Sequence, residues 1–207
     1  RQMCIRDSHI LAEILPGLQE DFAAKKPLVV SIAAGKTLAY LAENLPKDMP
    51  IVRVMPNINA KIGASTTGIC HNDAVTAEQL EAVKAVFATI GSVAEIPENH
   101  FGIFSVIGGA SVAFAYMYMD ALARAALKAG MPKKQALEIA AETVKGSAEM
   151  VLKSGEAPWS LVDQVCSPGG TTIEGVTTLQ AKGFEAAVVA AFDAVLEKDK
   201  KIGRGEV

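Results

Sequence analysis

The sequence has few of the residue types that mark a secreted, metal-binding or nucleic-acid-binding protein. Of its 207 residues, three are cysteine, three are histidine and one is tryptophan. The cysteines, Cys4, Cys70 and Cys166, are odd in number and widely spaced, which fits neither a disulfide framework nor a metal-binding knuckle. Positive charge is not in excess either, since 20 basic residues face 23 acidic ones. We therefore expect a reducing, cytoplasmic setting, with no metal ion and no nucleic-acid partner.

The remaining composition is that of a globular chain with a substantial core. Half of the residues are apolar and 21% are charged, which excludes a disordered or fibrous protein. The segment from Phe101 to Met119 has no charged residue and approaches the length of a membrane span. Its first half is rich in glycine and no basic cluster flanks it. A buried helix is therefore favoured over a membrane partner.

The N-terminal residues 1–8 do not begin with methionine and resemble neither a signal peptide nor a strand. We interpret them as foreign sequence or a truncation scar, and expect the chain from His9 to be a fragment of a longer protein. From Ile10 to Phe22 the apolar residues recur at helical spacing, which predicts a helix with one buried face.

The first half of the chain has the pattern of an α/β fold. Two apolar, β-branched runs, Leu28–Ala34 and Ile51–Met55, enclose a helical pattern at 37–45. This strand, helix, strand order favours a parallel sheet. Two strands at the edges of the sheet are predicted at Thr67–Cys70 and Ser92–Ile96. A helix is predicted between them at Ala77–Ile90. Thr76 is the predicted N-cap of that helix.

After Pro97 the pattern is helical throughout. The predicted helices are Gly109–Ala129, Pro132–Lys153, Trp159–Cys166, Thr171–Ala181 and Phe184–Lys200. The first of them has apolar residues on every side, for example Val112, Phe114 and Met117. Such a helix must be buried on all sides, so we expect a second subunit to complete its enclosure. The predicted fold class is therefore α/β followed by all-α, in an obligate oligomer.

The segment Ser167–Gly175 is the most specific local signal. A Ser-Pro-Gly-Gly turn runs into a helix, and Thr171 with Glu174 predicts a capping box at its start. Free backbone N–H groups and the helix dipole at such a start favour an anion of carboxylate or phosphate size. From the residues alone, the simpler interpretation of a capped helix after a tight turn is favoured.

Several segments together resemble one enzyme family, the Δ1-pyrroline-5-carboxylate reductases of proline biosynthesis, over roughly residues 9–200. The resemblance is strongest in Ser167–Leu179 and its approach through Pro158, Leu161 and Val165. Further similar segments, in the family's order, are Val29–Gly35, Arg53–Asn57, Asp120–Leu122, Gly130–Pro132 and Gly146.

The resemblance implies an organisation in two parts. Residues 1–97 would be the C-terminal part of a Rossmann-like dinucleotide-binding domain, and residues 98–207 a helical domain for dimerisation and substrate binding. The partners would be a cyclic imino acid substrate and further copies of the chain, in a homodimer formed through the helical domain and a higher homo-oligomer built from it.

The resemblance also implies a reaction, the reduction of Δ1-pyrroline-5-carboxylate to L-proline with NADPH or NADH. Thr172 would be catalytic through a hydrogen bond between its hydroxyl and the ring nitrogen. The substrate would be bound by Glu98, which would contact the amine, and by Ser167, Gly169, Gly170, Thr171 and Thr172. The cofactor would be bound by Ala33, Ala34, Gly35, Asn57 and Gln164.

The chain departs from the family pattern at defined places. Gly109–Phe114 replaces a Gly-Ser-Gly-Pro-Ala-Tyr segment, Gly102 replaces an aspartate, and Gln164 replaces an asparagine. The glycine-rich fingerprint G-x-G-x-x-A, which binds the cofactor pyrophosphate, is not in this sequence. Two alternatives therefore stay open: a related NAD(P)-dependent dehydrogenase or imine reductase acting on another small carboxylate, and a non-catalytic helical assembly module.

Simpler roles are open for individual residues as well. Glu98 is equally an acid in the first turn of a helix, where it serves the helix dipole. Asn57 is equally a turn residue after Pro56. Cys166 lies beside the loop, but no histidine is placed to activate it, so we do not expect it to be a nucleophile.

Overall fold

The computed structural model describes residues 14–203 and divides the chain into two compact units. The first unit contains the chain up to Val112 together with the chain from Phe192 onward, and the second is Ala113–Ala191. The predicted boundary after residue 97 stays a prediction.

The first unit is built on a four-stranded sheet with the strand order β1, β2, β3, β4. Its strands are β1 (Val29–Ser31), β2 (Ile51–Met55), β3 (Ser65–His71) and β4 (Gly91–Glu95). Strands β1 and β2 are parallel, as their sequence pattern predicted, and β3 and β4 are parallel as well. Since β2 and β3 run antiparallel, the sheet is mixed.

Strand β3 does not lie at an edge, so that prediction for Thr67–Cys70 is wrong. It pairs with β2 on one side and β4 on the other, whereas β4 is the end strand of the described sheet, as predicted. The polar residues Ser65 and Thr67 made the interior position of β3 hard to predict, because polar side chains in a strand usually face solvent. Both are almost fully buried, and their hydroxyl oxygens lie 3.1 Å apart in a mutual hydrogen bond that satisfies them.

Short helices flank the sheet. They are a 3₁₀ turn (Leu15–Leu18), α1 (Gln19–Lys25), α2 (Leu38–Glu43) and α3 (Ala77–Ala88). Residues 10–13 of the predicted N-terminal helix lie outside the described residues. The rest of it starts as the 3₁₀ turn, which has a proline in its first positions. Thr76 caps α3 in a capping box with Gln79, which confirms its predicted role.

Apolar clusters lie on both faces of the sheet. Ile51 packs with Leu15 and Leu41 in one cluster, while its neighbour in the sequence, Val52, belongs to a second cluster that includes Val83 of α3. Because adjacent side chains on a strand point to opposite faces, the two clusters lie on opposite sides of β2. The near-continuous apolar run of β2 follows from this double burial.

One helix runs without a break from Glu98 to Lys128. It consists of a 3₁₀ turn (Glu98–His100), α4 (Phe101–Phe104), a π-helical turn (Ser105–Ala110) and α5 (Ser111–Lys128). The predicted start at Gly109 is therefore wrong. Gly108 is an interior position where a Cβ atom would lie 2.5 Å from the Phe104 ring, so this glycine permits close packing and does not break the helix.

The remaining helices agree with the sequence pattern to within a few residues. They are α6 (Lys133–Ser154), α7 (Pro158–Val165), α8 (Thr171–Ala181) and α9 (Phe184–Gly203). Pro132 is the N-cap of α6 and not its first residue. Asp120 near the middle of α5 accepts from Arg124 and from Lys133 (2.8 Å), and these hydrogen bonds hold the pKa of the Asp120 carboxyl below its usual value.

Within residues 14–203, α5 is not buried on all sides. Tyr116 is 52% exposed and Met117 is 72% exposed, while Ala123 is fully buried. By length and composition the Glu98–Lys128 helix is also able to cross a membrane. Part of the apolar surface of α5 is therefore left exposed by the portion of the chain that the structure describes.

Candidate active site

The turns after β1 and β2 lie at the same edge of the sheet, because the two strands are parallel. In open α/β sheets this carboxyl edge is where ligands bind. Ala33 is buried, whereas Ala34 is exposed and Gly35 has a φ of +72°, a conformation that favours glycine. A Cβ atom on Gly35 would also lie 3.3 Å from Ile202 near the end of α9. The positive φ and the close approach of Ile202 therefore both favour glycine at position 35.

Asn57 is the N-cap of a 3₁₀ turn (Ile58–Ile62) that follows β2. Its side-chain Nδ2 donates to the Gly108 carbonyl (2.8 Å), and its Oδ1 accepts from the Asn59 amide (3.0 Å). Its own backbone N–H donates to the Ser65 hydroxyl (3.0 Å). Asn57 therefore has the geometry of a turn residue that also anchors the π-helical turn, and its predicted contact with the cofactor stays a prediction.

Glu98 lies between the start of α2 and the middle of β2. Its Oε1 accepts from the Leu38 amide (2.6 Å) and from Nη1 of Arg53 (2.7 Å). Arg53 was not singled out by sequence reasoning as a functional residue, although a charged residue in the run of β2 is the signal that could have found it. The predicted contact of Glu98 with the product amine stays a prediction.

Cys70 pairs with Arg53 across β2 and β3 and is buried. Burial raises the pKa of the Cys70 thiol to about 11, against the opposing effect of the positive charge of Arg53. The negative charge of Glu98 raises it further. This thiol is therefore protonated at neutral pH and is not a nucleophile.

In the second unit, Ser167 to Gly170 form a tight turn. The Gly170 amide donates to the Ser167 carbonyl at 3.0 Å, and Gly169 has a φ of +69°. Proline in the second position and a left-handed glycine in the third are typical of a type II turn. The Gly170 N–H is consequently engaged by the turn, which leaves the amides beyond it as donors for a ligand.

Helix α8 begins at Thr171 and has Gly170 as its N-cap, with no side-chain capping bond. The predicted capping box of Thr171 with Glu174 is therefore wrong. Gly170 already occupies the extended N-cap position, with φ −78° and ψ 170°, so Thr171 is the first helical residue. In the part of the chain that the structure describes, the amides of Thr171, Thr172 and Ile173 have no acceptor. Sequence reasoning missed Ile173 because it placed the cap one residue too late.

The uncapped start of α8 is an anion-binding geometry. Its amides and the positive end of the helix dipole point in one direction, toward a site suited to a carboxylate. Thr171 and Thr172 are both exposed, so their hydroxyl groups are accessible as well. Gln164 on α7 donates from Nε2 to Glu156 Oε2 at 2.6 Å, and its cofactor role stays a prediction.

The predicted residues fall into two groups in different units. Ala33, Ala34, Gly35, Asn57 and Glu98 belong to the first unit, and Gln164 with Ser167–Thr172 belongs to the second. A sheet with ligand-type turns at the carboxyl edge of its parallel strands, followed by a helical unit with an anion-binding helix start, is typical of two-domain NAD(P)-dependent oxidoreductases.

Comparison with known proteins defines the family. Residues 98–202 match the family model described as pyrroline-5-carboxylate reductase dimerisation. The pyrroline-5-carboxylate reductase of Escherichia coli (strain K12) is 44% identical over 195 residues, which cover 94% of this chain and 71% of that protein. The crystal structure of the reductase from Streptococcus pyogenes has a TM-score of 0.86 and 36% identity, and covers 94% of this chain and 73% of that one. The NADP-bound enzyme of Plasmodium falciparum has a TM-score of 0.88 and 30% identity, and covers 97% of this chain and 80% of that one.

The chain belongs to the pyrroline-5-carboxylate reductase family. This confirms the predictions of the family, of the Rossmann-like and helical fold class, and of an oxidoreductase. The dimerisation match includes the whole of the Glu98–Lys128 helix and supports a homo-oligomer.

Proposed function

We propose that this chain carries the substrate-binding helix start and the carboxyl edge of the cofactor sheet in an enzyme that reduces Δ1-pyrroline-5-carboxylate to L-proline with NADPH or NADH. The observation that carries the proposal is the uncapped start of α8, whose donors fit a small carboxylate. Family membership supports the rest, and the NADP-bound Plasmodium relative supports the cofactor.

The chain's own residues bind and orient the substrate. The amides of Thr171, Thr172 and Ile173 hold the carboxylate together with the Ser167 hydroxyl, and the Thr172 hydroxyl hydrogen-bonds the ring nitrogen. Gly169 and Gly170 keep the turn free of side chains that would cover these amides. The reduced nicotinamide supplies the hydride.

The residues at the sheet edge fit a dinucleotide. The turns that hold Ala33–Gly35 and Asn57 lie at one edge because β1 and β2 are parallel. We propose that the backbone of Ala33, Ala34 and Gly35, with Asn57 and Gln164, contacts the cofactor.

The activity is tested with the protein expressed from its full reading frame. We expect NADPH or NADH oxidation, followed at 340 nm, with Δ1-pyrroline-5-carboxylate and not with open-chain keto acids. Faster reduction of another cyclic imine or of a keto acid would assign the chain to a related reductase. A folded protein that binds the cofactor and reduces none of them would contradict the proposal.

Thr172→Ala is expected to lower kcat/KM by roughly ten- to hundred-fold, the value of about 1 to 3 kcal/mol for a lost hydrogen bond in a polar site. Thr172 is exposed, so the fold should be retained. Thr172→Ser keeps the hydroxyl and is expected to recover most of the activity. Equal rates for Thr172→Ala and the parent protein would remove this hydroxyl from the mechanism.

We propose that the protein is a cytoplasmic homodimer, formed through the helical unit and assembled into a higher homo-oligomer, without nucleic-acid or membrane partners. Met117 of α5 is the most exposed large apolar residue on that helix, at 72%. Met117→Glu should therefore dissociate the dimer and shift its dissociation constant by at least about hundred-fold, because a charge would be buried in an apolar contact. Analytical ultracentrifugation measures this. Lys134→Glu, an exposed change at the start of α6, is the control and should stay dimeric.

A further inference from the structure

The carboxylate of Glu98 connects three elements of the first unit. Its Oε1 accepts from the first amide of α2, that of Leu38, at 2.6 Å, and from Arg53 of β2 at 2.7 Å. Glu98 itself opens the long helix that continues to Lys128. A single oxygen atom thus joins the start of α2 and the middle of β2 to the start of the long helix, three segments far apart in the sequence.

Burial of the Arg53 guanidinium at this position has an unfavourable desolvation free energy. The side chain is only 8% exposed, on an interior strand whose residues Ile51, Val52 and Val54 are buried and apolar. A buried guanidinium is tolerated only when it is paired, and here Glu98 supplies the charge. The Phe101 ring also stacks against the guanidinium, with its centroid 4.5 Å from Cζ. The arrangement holds the carboxylate of Glu98 in one place.

The two residues of the Arg53–Glu98 ion pair lie at opposite ends of the turn between β1 and α2. In the parallel register Arg53 lies opposite Ser31, the last residue of β1. Glu98 binds the amide of Leu38, the first residue of α2. The turn at 32–37, which holds the proposed cofactor contacts Ala33, Ala34 and Gly35, therefore begins beside Arg53 and ends on Glu98.

A second side chain, that of Thr37, also caps the start of α2. The Thr37 hydroxyl accepts from the Tyr40 amide at 3.0 Å, while Glu98 takes the Leu38 amide. Two of the amides that a helix start leaves unpaired are thereby satisfied by side chains, one local and one from sixty residues away. Only the distant one ties the turn to the rest of the sheet.

We propose that Glu98, held by Arg53, is a positioning residue for the nicotinamide cofactor. It acts through the 32–37 turn and binds neither the imine nitrogen of the substrate nor the product amine. Its charge is shared with Arg53, which weakens its attraction for a cationic imine, and its Oε1 is already occupied twice. This inference rests on the proposed function, because it assumes that the turn contacts the cofactor.

The test compares Glu98→Ala and Glu98→Gln with Glu95→Gln as the control, in the protein from its full reading frame. Glu95 is a surface acid at the end of β4 that pairs with Lys84 and His71 and has no bond to the turn. The first measurement needs no cofactor: hydrogen exchange of the Leu38 amide should accelerate at least about ten-fold in Glu98→Ala. Glu98→Gln keeps an acceptor oxygen and should retain part of the protection.

The second measurement is the dissociation constant for NADPH, obtained by nucleotide fluorescence, together with the KM for the imino acid and inhibition by L-proline. We expect Glu98→Ala to weaken NADPH binding roughly ten-fold or more, with Glu98→Gln intermediate and the imino acid KM within about two-fold of the parent value. A raised imino acid KM and weaker proline inhibition, with unchanged NADPH binding, would overturn the proposal and make Glu98 a substrate ligand. Faster exchange at Leu38 with unchanged NADPH binding would overturn it too, because the pair would then only stabilise the fold.

A second variant distinguishes a failure of Glu98→Ala to fold from a loss of cofactor binding. If Glu98→Ala does not fold, Glu98→Gln carries the same comparison, since it preserves size and hydrogen bonding. A parent protein that binds NADPH but reduces no imine would contradict the proposed function alone, because exchange at Leu38 and the NADPH dissociation constant would still report on the role of Glu98.

Discussion

Gly91→Ala is expected to remove most of the stability of the first unit, a loss of more than about 4 kcal/mol. Gly91 begins β4 beside Ser65 of β3, with a φ of +144° that L-residues rarely adopt. A Cβ atom there would lie 2.0 Å from the Ser65 carbonyl oxygen and 2.4 Å from its nitrogen. Both are backbone atoms of a paired strand, so no side-chain rotation relieves the clash. A domain of this size is stable by only about 5 to 15 kcal/mol.

Gly63→Ala is the control for alanine at a positive φ where the added Cβ atom meets no clash. Gly63 also has a positive φ, +70°, but a Cβ atom there would have nothing within 4 Å. This control should cost about 1 to 2 kcal/mol, the usual penalty for a left-handed residue. Urea denaturation followed by circular dichroism measures both variants. Equal losses would show that the contact with Ser65 is not what requires glycine at position 91.

The elements that the sequence predicted well are those defined by local pattern. The strand, helix, strand unit has an apolar run at Ile51–Met55 that is buried on both faces, and its period is visible in the sequence. Helices α6 to α9 likewise follow apolar spacing and end near glycine or proline. Thr76 was recognisable because threonine just before a helical pattern is a preferred N-cap residue.

The elements that the sequence did not predict depend on contacts between distant segments. The Phe104 ring is packed between Gly68 of β3 and Gly108 of the π-helical turn, where added Cβ atoms would lie 2.7 Å and 2.5 Å from it. In the sequence Gly108 resembles a helix boundary, because nothing local shows that an aromatic ring occupies the space of its side chain. The interior position of β3 was hidden for the same reason, since Ser65 and Thr67 satisfy each other only in the folded strand.

The candidate site likewise combines a turn that is visible in the local sequence with contacts between distant residues. The Ser-Pro-Gly-Gly turn before a helix is local, and the sequence predicted it, although the Gly170 amide closes the turn and the amides left available are those of Thr171, Thr172 and Ile173. The link from Glu98 to Arg53 and Leu38 spans 45 and 60 residues. No spacing rule reaches that far, so the residue was predicted and its partners were not.

Gly170→Ala is expected to lower kcat/KM roughly hundred-fold or more while leaving the fold intact, a loss of about 3 kcal/mol in transition-state binding. Gly170 has an ordinary φ of −78°, so the backbone is not strained by alanine. A Cβ atom at this position would lie 2.2 Å from the Ser167 hydroxyl oxygen and 3.1 Å from the Ser167 carbonyl oxygen. The hydroxyl would have to leave the turn, and the proposed carboxylate site would lose Ser167 and the alignment of the Thr171 amide.

A double-mutant cycle shows whether this contact is the cause. Ser167→Ala alone should cost roughly ten-fold in kcat/KM, the value of one hydrogen bond to a carboxylate. Because it removes the clashing oxygen, adding it to Gly170→Ala should raise the activity back to about the level of Ser167→Ala. Gly175→Ala, in the same helix with open space around its Cβ position, is the control for alanine in α8 and should retain full activity. Independent losses that multiply in the double variant would mean that the loop tolerates the added methyl group and that its glycine serves another purpose.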